Sequence, residues 1–376
     1  MHRRTGVLAR RPGDLTVAWA QRIVTQCRPG ARVAASEVLS VDVGTTTRIR
    51  IAVDHDAPDL PGRWFAKLPS LSWKARWLTA LPRLLQAEAR FYREVAQGVP
   101  VLHPAVVAGQ TRPGWGSTLV LEDITEDGAV AGAPGDAWTA EEAGLAVDEL
   151  ARLHARFWEH PSLTGEHAWL CGPVRRTEDA LGSALAVPLM TRGLARAAEV
   201  VPAELHGPAL EYARHRTRWM AFLGDGPRTL VHHDVHPGNF FWRDARPGLL
   251  DWHLVRAGEG VGDVAYFLST SLPPETRRAH EDLLLTRYRD GLTSGGVRPP
   301  APDELARRYR AHLAYPFEAM VLTLAVGGMM RPEANRELIR RTATAVADHG
   351  TLTAGPRPSR DRDSCRTSRP GRSARR

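Results

Sequence analysis

The chain has 376 residues, 43% hydrophobic and 24% charged, which is enough for one or two buried cores and too apolar for a disordered polymer. Its net charge of +8 is unevenly spread: residues 354–376 hold eight Arg against Asp361 and Asp363 and so carry +6 of it, leaving the rest without the charge of a nucleic-acid-binding surface. Three Cys with no CxxC pair argue against a disulfide framework or a Cys-based zinc site and fit a reducing, cytoplasmic compartment.

From the N-terminus, Arg3, Arg4, Arg10 and Arg11 are followed by no apolar stretch, so no secretory signal is expected. Asp14 to Gln26 reads as a short helix with Thr16 near its start. Val38–Val43, Thr45–Val53 and Trp64–Leu68 alternate or are β-branched, with Gly44 and the Pro58–Gly62 turn between them, which predicts an antiparallel meander. Trp73 to Val95 reads as helical and Thr118–Leu121 as a buried strand. Residues 127–136, rich in Gly, Ala and Pro, read as a linker. Thr139 and Glu142 form a capping box, and the helix it opens puts Ala146, Leu150, Leu153 and Phe157 on one stripe. Further helices are predicted over Glu178–Val201, Pro202–Phe222, Pro274–Tyr288 and Asp303–His349, with short strands at Thr229–His232 and Gly248–Asp251. The longest apolar run, Ala319–Met330, is too short to span a bilayer. A strand-rich front and a helix-rich back predict an α+β fold in two lobes, residues 1–124 and 125–353, followed by a disordered Arg-rich tail over 354–376.

The most informative segment is Leu230–Leu254, LVHHDVHPGNFFWRDARPGLLDWHL. An apolar strand ends in His232-His233-Asp234, Asn239 follows five residues after Asp234, and a second apolar run delivers Asp251. Mg²⁺ prefers hard oxygen ligands, one or two carboxylates, an amide oxygen and substrate phosphates. The H-x-D-x-x-x-x-N spacing fits the loop of phosphoryl-transfer enzymes in which Asp accepts a hydroxyl proton and Asn holds metal. Two other readings stand beside it. Asp234 and Asn239 could be turn residues beside Pro237-Gly238, or His232, His233, Asp234 and His236 could form a transition-metal cluster.

Upstream, Trp64-Phe65-Ala66-Lys67 ends a strand in one of only two lysines, the other being Lys74, among 50 basic residues. Leu84, Glu88, Phe91 and Val95 share a helical stripe, where a lone carboxylate would be costly. A Lys67–Glu88 ion pair relieves that cost. His154 reads as a hydrogen-bonded core histidine, Asp263 as a helix cap and His236 as an organiser of its loop. Trp73 and Trp77 are one turn apart and form a candidate aromatic wall.

In combination, DLTVAWAQRIV, VDVGTTTRIRIAV, WFAKLP, EARFYREVA, LVLEDI, LARLHARFW, HHDVHPGN, LLDWH and GDVAYFL resemble the aminoglycoside-phosphotransferase/choline-kinase-like superfamily, and within it the ecdysteroid-kinase-like group. The resemblance implies a bilobal kinase-like fold, ATP, Mg²⁺, and phosphorylation of a small-molecule hydroxyl: an antibiotic, a sugar or a steroid-like alcohol. By matched motif, Lys67 would hold the α- and β-phosphates and Glu88 would pair with it. Gly44, Thr45 and Thr46 would lie over the phosphates, and Leu121, Glu122, Asp123 and Ile124 would form the adenine-binding hinge. Asp234 would be the catalytic base, with Asn239 and Asp251 as metal ligands. No specific nucleic acid or membrane partner is implied, and a monomer is the default.

Three departures from the family pattern are visible. His233 replaces the usual Gly of His-Gly-Asp, the loop expected to be Gly-rich holds only Gly44, and Asp251 is followed by Trp252-His253 rather than Phe-Gly. A protein kinase is a rival reading, but Asp263 falls only twelve positions after Asp251, leaving no room for an activation segment. A non-catalytic kinase-like nucleotide-binding protein is another. The acceptor surface is expected over Gly165–Phe222 and Pro302–His349, and the candidate acids Glu178, Asp179, Glu275 and Glu318 are scattered and not clustered.

Overall fold

Residues 6–71, 84–112 and 116–354 are described in the computed structural model. The Trp73/Trp77 pair, the first part of the helix expected from Trp73, and the Arg-rich tail lie outside the described residues.

Alternation makes the N-terminal sheet. In β2 (Thr46–His55), Ile49, Ile51 and Val53 are buried while Arg48, Arg50 and Ala52 face the other way. The buried set meets Trp64, Ala66 and Leu68 of β3 (Arg63–Pro69) and Trp19, Ile23 and Val24 of α1 (Val17–Cys27), whose N-cap is Thr16. The opposite face of the same strands carries Arg48, Arg50, Phe65 and Lys67. With β1 (Val33–Val43), β4 (Val106–Arg112) and β5 (Gly116–Glu122), these form a five-stranded antiparallel sheet of order β1-β2-β3-β5-β4. The edge strand β4 is absent from the sequence expectation, because VVAGQTR has a central Gly and no clean alternation.

Helix α2 (Leu84–Glu94) packs on the Lys67 face of the sheet and sends Phe91 and Tyr92 into the larger core. That core is built on α3 (Ala140–Phe157), opened by the reciprocal Thr139–Glu142 cap and burying Ala146, Leu150, Leu153 and Phe157 as expected. Residues 127–136 are more than a linker: Val130 and Ala131 form β6, paired to β8 (Phe240–Arg243), which forms a hairpin with β9 (Arg246–Leu249). Strand β7 (Arg228–Val231) pairs with β10 (Arg256–Glu259).

The helix expected over Pro202–Phe222 is two, α5 (His206–Arg214) and α6 (Arg216–Leu223), after α4 (Pro173–Arg196). After α7 (Val261–Ser271) and α8 (Pro274–Ser294), the stretch expected as one helix from Asp303 is three: α9 (Pro302–His312), α10 (Ala314–Val326) and α11 (Pro332–Asp348). Gly327 and Gly328 adopt φ 77° and 76° between the last two, a left-handed conformation that ends a helix. The α+β architecture in two lobes is the one the sequence predicts.

Strand β6 also positions the loop at residues 232–239. The Gly132 amide donates to the Phe240 carbonyl at 2.9 Å, and a Cβ on Gly132 would press on the Pro237 carbonyl. Gly132→Ala is therefore expected to destabilise the protein by about 1–3 kcal/mol in chemical denaturation, as overpacking against rigid backbone does. An unchanged denaturation midpoint would show that this junction yields without cost.

Candidate active site

Three segments meet at one ammonium. Lys67, near the end of β3, donates to Glu88 Oε1 of α2 at 2.7 Å and to Asp251 Oδ1 at 3.0 Å. Glu88 is 1% exposed and Lys67 5%. Burial alone would lower the Lys67 pKa, but the Asp251 and Glu88 carboxylates outweigh it and raise it, so the group is a fixed cation. Burial raises the Glu88 pKa despite Lys67.

Asp251 adopts φ 62° in the turn after β9. Burial would raise its pKa, yet His253 and Lys67 hold it well below the ordinary carboxylate value. His253 Nδ1 donates to the same Oδ1 at 2.7 Å, and Asp251 pushes the imidazole up to about 9 against the effect of burial. The sequence reading did not single out His253. Trp252 stacks on Phe91 of α2 at 4.2 Å and meets the His232 ring edge-on at 4.7 Å, while His232 Nε2 bonds the Leu250 carbonyl. This aromatic column ties α2 to the Asp251 turn and the 232–239 loop.

Asp234 sits in that loop. Tyr266 Oη donates to its Oδ1 at 2.7 Å, and Asn239 Nδ2 donates to its Oδ2 at 3.0 Å and to its carbonyl at 2.7 Å. Asp263 does more than begin α7: its two carboxylate oxygens accept the His232 and His233 amides at 2.7 and 2.9 Å, so it clamps the loop instead of capping its own helix. His154 is fully buried, with Nδ1 bonded to Tyr288 and Nε2 3.4 Å from Asp263, which is the core role expected of it. His236 accepts the Gly238 amide at 3.1 Å within the loop. Tyr266 was missed, although its spacing of three from Asp263 places both on one face of α7.

His233 has φ 71°, a conformation that favours glycine, and its amide bond to Asp263 together with a 4.2 Å stack on Tyr315 of α10 hold it there. The two neighbouring rings have different partners, His233 on Tyr315 and His232 against Trp252. Among the described residues no three His, Cys, Asp or Glu side chains converge as metal ligands, which removes the transition-metal cluster.

Lys67, Leu121, Glu122, Asp123, Ile124, Asn239 and Asp251 all line one cleft of about 290 Å³ between the sheet and the 232–251 segment. Gly44 and Thr45 form the β1–β2 turn and Thr46 opens β2; the cleft's lining comes instead from Ser40, Asp42, Arg48 and Arg50 on the adjoining strands. The donor set fits a hard cation. The Asn239 amide nitrogen is committed to Asp234, which leaves its oxygen for a ligand, and Asp251 keeps Oδ2 apart from the Oδ1 that Lys67 and His253 share.

A second pocket, about 190 Å³, lies beyond His233 and Tyr315, lined in part by Leu170, Arg175, Asp179, Met220, Arg256 and His312. Its acids are engaged. Asp179 pairs with Arg256 at 3.1 Å, Glu259 with His312 at 2.8 Å and with Arg308, and Asp263 with the loop amides.

The chain belongs to the phosphotransferase enzyme family: the family model with that description matches residues 50–313, which include Lys67, Glu88, Asp234, Asn239 and Asp251. Among solved structures it is similar to a choline kinase from Cryptosporidium parvum Iowa II (11% identity, TM-score 0.48, 88% of this chain and 96% of that one). It is also similar to an ethanolamine kinase of Plasmodium vivax (11%, 0.49, 92% and 90%) and to an aminoglycoside-3'-phosphotransferase of type VIII (22%, 0.40, 80% and 98%). No curated protein matches the chain. Among the described residues, no helix is long and apolar enough to cross a membrane.

Removing the Lys67 ammonium strands the Glu88 charge. Lys67→Met is expected to lose about 3–5 kcal/mol of stability at neutral pH, the scale for an orphaned buried charge. A carboxyl whose folded pKa lies above its unfolded value stabilises the fold at low pH and loses that contribution as pH rises through the folded value. The melting temperature of Lys67→Met is therefore expected to fall more steeply than the parent's between about pH 5 and 8. Lys67→Met/Glu88→Gln should recover most of the stability. Calorimetry showing a pH-independent Lys67→Met no less stable than the parent would contradict the buried pairing.

Proposed function

We propose that this protein is an ATP-dependent phosphotransferase of the ecdysteroid-kinase-like kind, which moves the γ-phosphoryl group of ATP to a hydroxyl of a small molecule. The observation that carries the reading is the placement of Asp234: its carboxylate is fixed by Tyr266 and Asn239 beside a cleft that presents Lys67, Asn239 and Asp251 together. Adenine would lie against Leu121–Ile124, and Lys67 would meet the α- and β-phosphates. Asn239 and Asp251 would hold Mg²⁺, which when bound neutralises phosphate charge. Asp234 orients the acceptor hydroxyl and takes its proton as the new O–P bond forms, while the bond from the γ-phosphorus to the bridging oxygen breaks and ADP departs.

Two observations weigh against the rivals. The path from Asp251 to α7 is a turn at Trp252–Leu254 followed by β10, which supports a small-molecule enzyme over a protein kinase with a long activation segment. His233 stacks on Tyr315, and Asp234 keeps its own hydrogen-bond partners, which supports catalysis over a non-catalytic binding role. The second pocket is read as the acceptor site. Because its acids are already paired, it offers no free anion to a quaternary amine or a polycationic sugar, and the acceptor is read as an alcohol without positive charge.

The test is ADP release with a panel of neutral alcohols, choline and aminoglycosides. Transfer to a neutral alcohol is expected to exceed transfer to the cationic compounds. Asp234→Asn should cut kcat roughly 10²-fold or more, the scale of a positioned general base, while calorimetric Mg·ATP affinity stays within about threefold. A parent that binds Mg·ATP but transfers phosphate to nothing in the panel would favour the binding-protein reading.

A further inference from the structure

A glycine-rich loop holds phosphates by offering free backbone amides. The β1–β2 turn holds a single glycine, and the amide of that glycine is already engaged. The Gly44 amide donates to the Thr46 carbonyl at 3.0 Å, the Gly44 carbonyl accepts from Ser70 Oγ at 2.7 Å, and Thr47 Oγ1 accepts the Leu71 amide at 2.9 Å. A cleft that takes a polyphosphate here needs its positive charge from side chains.

Arg48 is placed to supply it. It stands directly opposite Lys67 in the β2/β3 register, and opposed residues of an antiparallel pair share a face with their Cβ atoms about 5 Å apart. Both line the cleft that also presents Asn239 and Asp251. Gly44 makes room for the guanidinium, since a Cβ there would come within 3.3 Å of Arg48 Nη2. Arg50, two residues on, is drawn toward the other end of the cleft by Thr125 at 3.0 Å and Asp123 at 3.4 Å. Among the described residues Arg48 is paired only with Asp42, at 2.5 Å, and that carboxylate is 66% exposed. An exposed pair of this kind is held weakly, so a multiply charged phosphate chain in the cleft can displace Asp42 from the guanidinium.

We propose that Arg48 is a second phosphate-binding cation of this cleft, acting beside Lys67 in place of glycine-loop amides, with Asp42 as its partner when no nucleotide is bound. The inference rests on the reading of the cleft as a nucleotide site.

The test is calorimetric binding of ATP, ADP and adenosine, each with Mg²⁺, to the full chain. Arg48→Gln is expected to raise the Kd for ATP and ADP roughly tenfold or more and that for adenosine less than about twofold, since only the phosphate chain loses a charge-assisted bond. Arg48→Lys should restore part of the loss, and Asp42→Asn should tighten ATP a few-fold by freeing the guanidinium. ATP affinity unchanged in Arg48→Gln, or an equal loss for adenosine, would overturn the assignment while leaving the nucleotide cleft intact. A parent that binds neither ATP nor ADP would instead overturn the cleft reading, and this inference with it.

Discussion

One buried ammonium sets the geometry of this molecule. Lys67 lies between Glu88 and Asp251, which are 21 and 184 residues further along the chain, and it is the point where the sheet, α2 and the turn after β9 are held in common. With His253 cationic, the four groups sum to zero charge, and that balance lets Lys67 and Glu88 stay buried while Asp251 and His253 sit half-buried at the cleft. The stacked Phe91 and Trp252 rings close the same triangle with apolar contact. Displacing the strand that carries Lys67 or the helix that carries Glu88 would leave a buried charge without its counterpart, so the cluster fixes how the sheet and α2 are aligned.

The second constraint is the Asp263 carboxylate. By accepting two consecutive amides it forces the His232–Asp234 backbone to turn, and the turn places His233 in the left-handed region and Asp234 toward Tyr266 and Asn239. A glycine at 233 would adopt that conformation without cost. Here a histidine does so, and its ring forms one wall of the second pocket against Tyr315. Burial and the nearby Arg256 and Arg175 guanidinium groups hold the His233 pKa well below its usual value, so that wall is an uncharged one.

Much of the candidate site is legible in the sequence because it rests on local exceptions. A lysine in a chain that otherwise uses arginine, a glutamate on an apolar helical stripe, and an Asp and an Asn five residues apart after a strand each violate a bland expectation, and their explanation is one site. Long-range partners left no such mark. Nothing beside Tyr266 or His253 indicates that they touch Asp234 and Asp251, since those contacts depend on how α7 and the turn at 252–254 pack. Gly44 signals backbone freedom, and in the structure it closes a short turn and leaves room for Arg48. In the fold, β4 was invisible because an edge strand with a central Gly need not alternate. The break at His215 lacks any Gly or Pro to announce it, whereas Gly327-Gly328 and Pro332 did signal the break between α10 and α11 inside what reads as one long helix.

The central claim, that a buried Lys67 ammonium is the anchor of a nucleotide-phosphate site, can be observed directly because the chain has only two lysines. Selective ¹³Cε-lysine labelling gives two resonances to follow by NMR. The account predicts that one of them stays protonated to a pH above that of an ordinary lysine, in line with its two carboxylate partners, and shifts on addition of Mg·ATP but not of adenosine. Two lysines that both titrate normally, with neither responding to Mg·ATP, would contradict it.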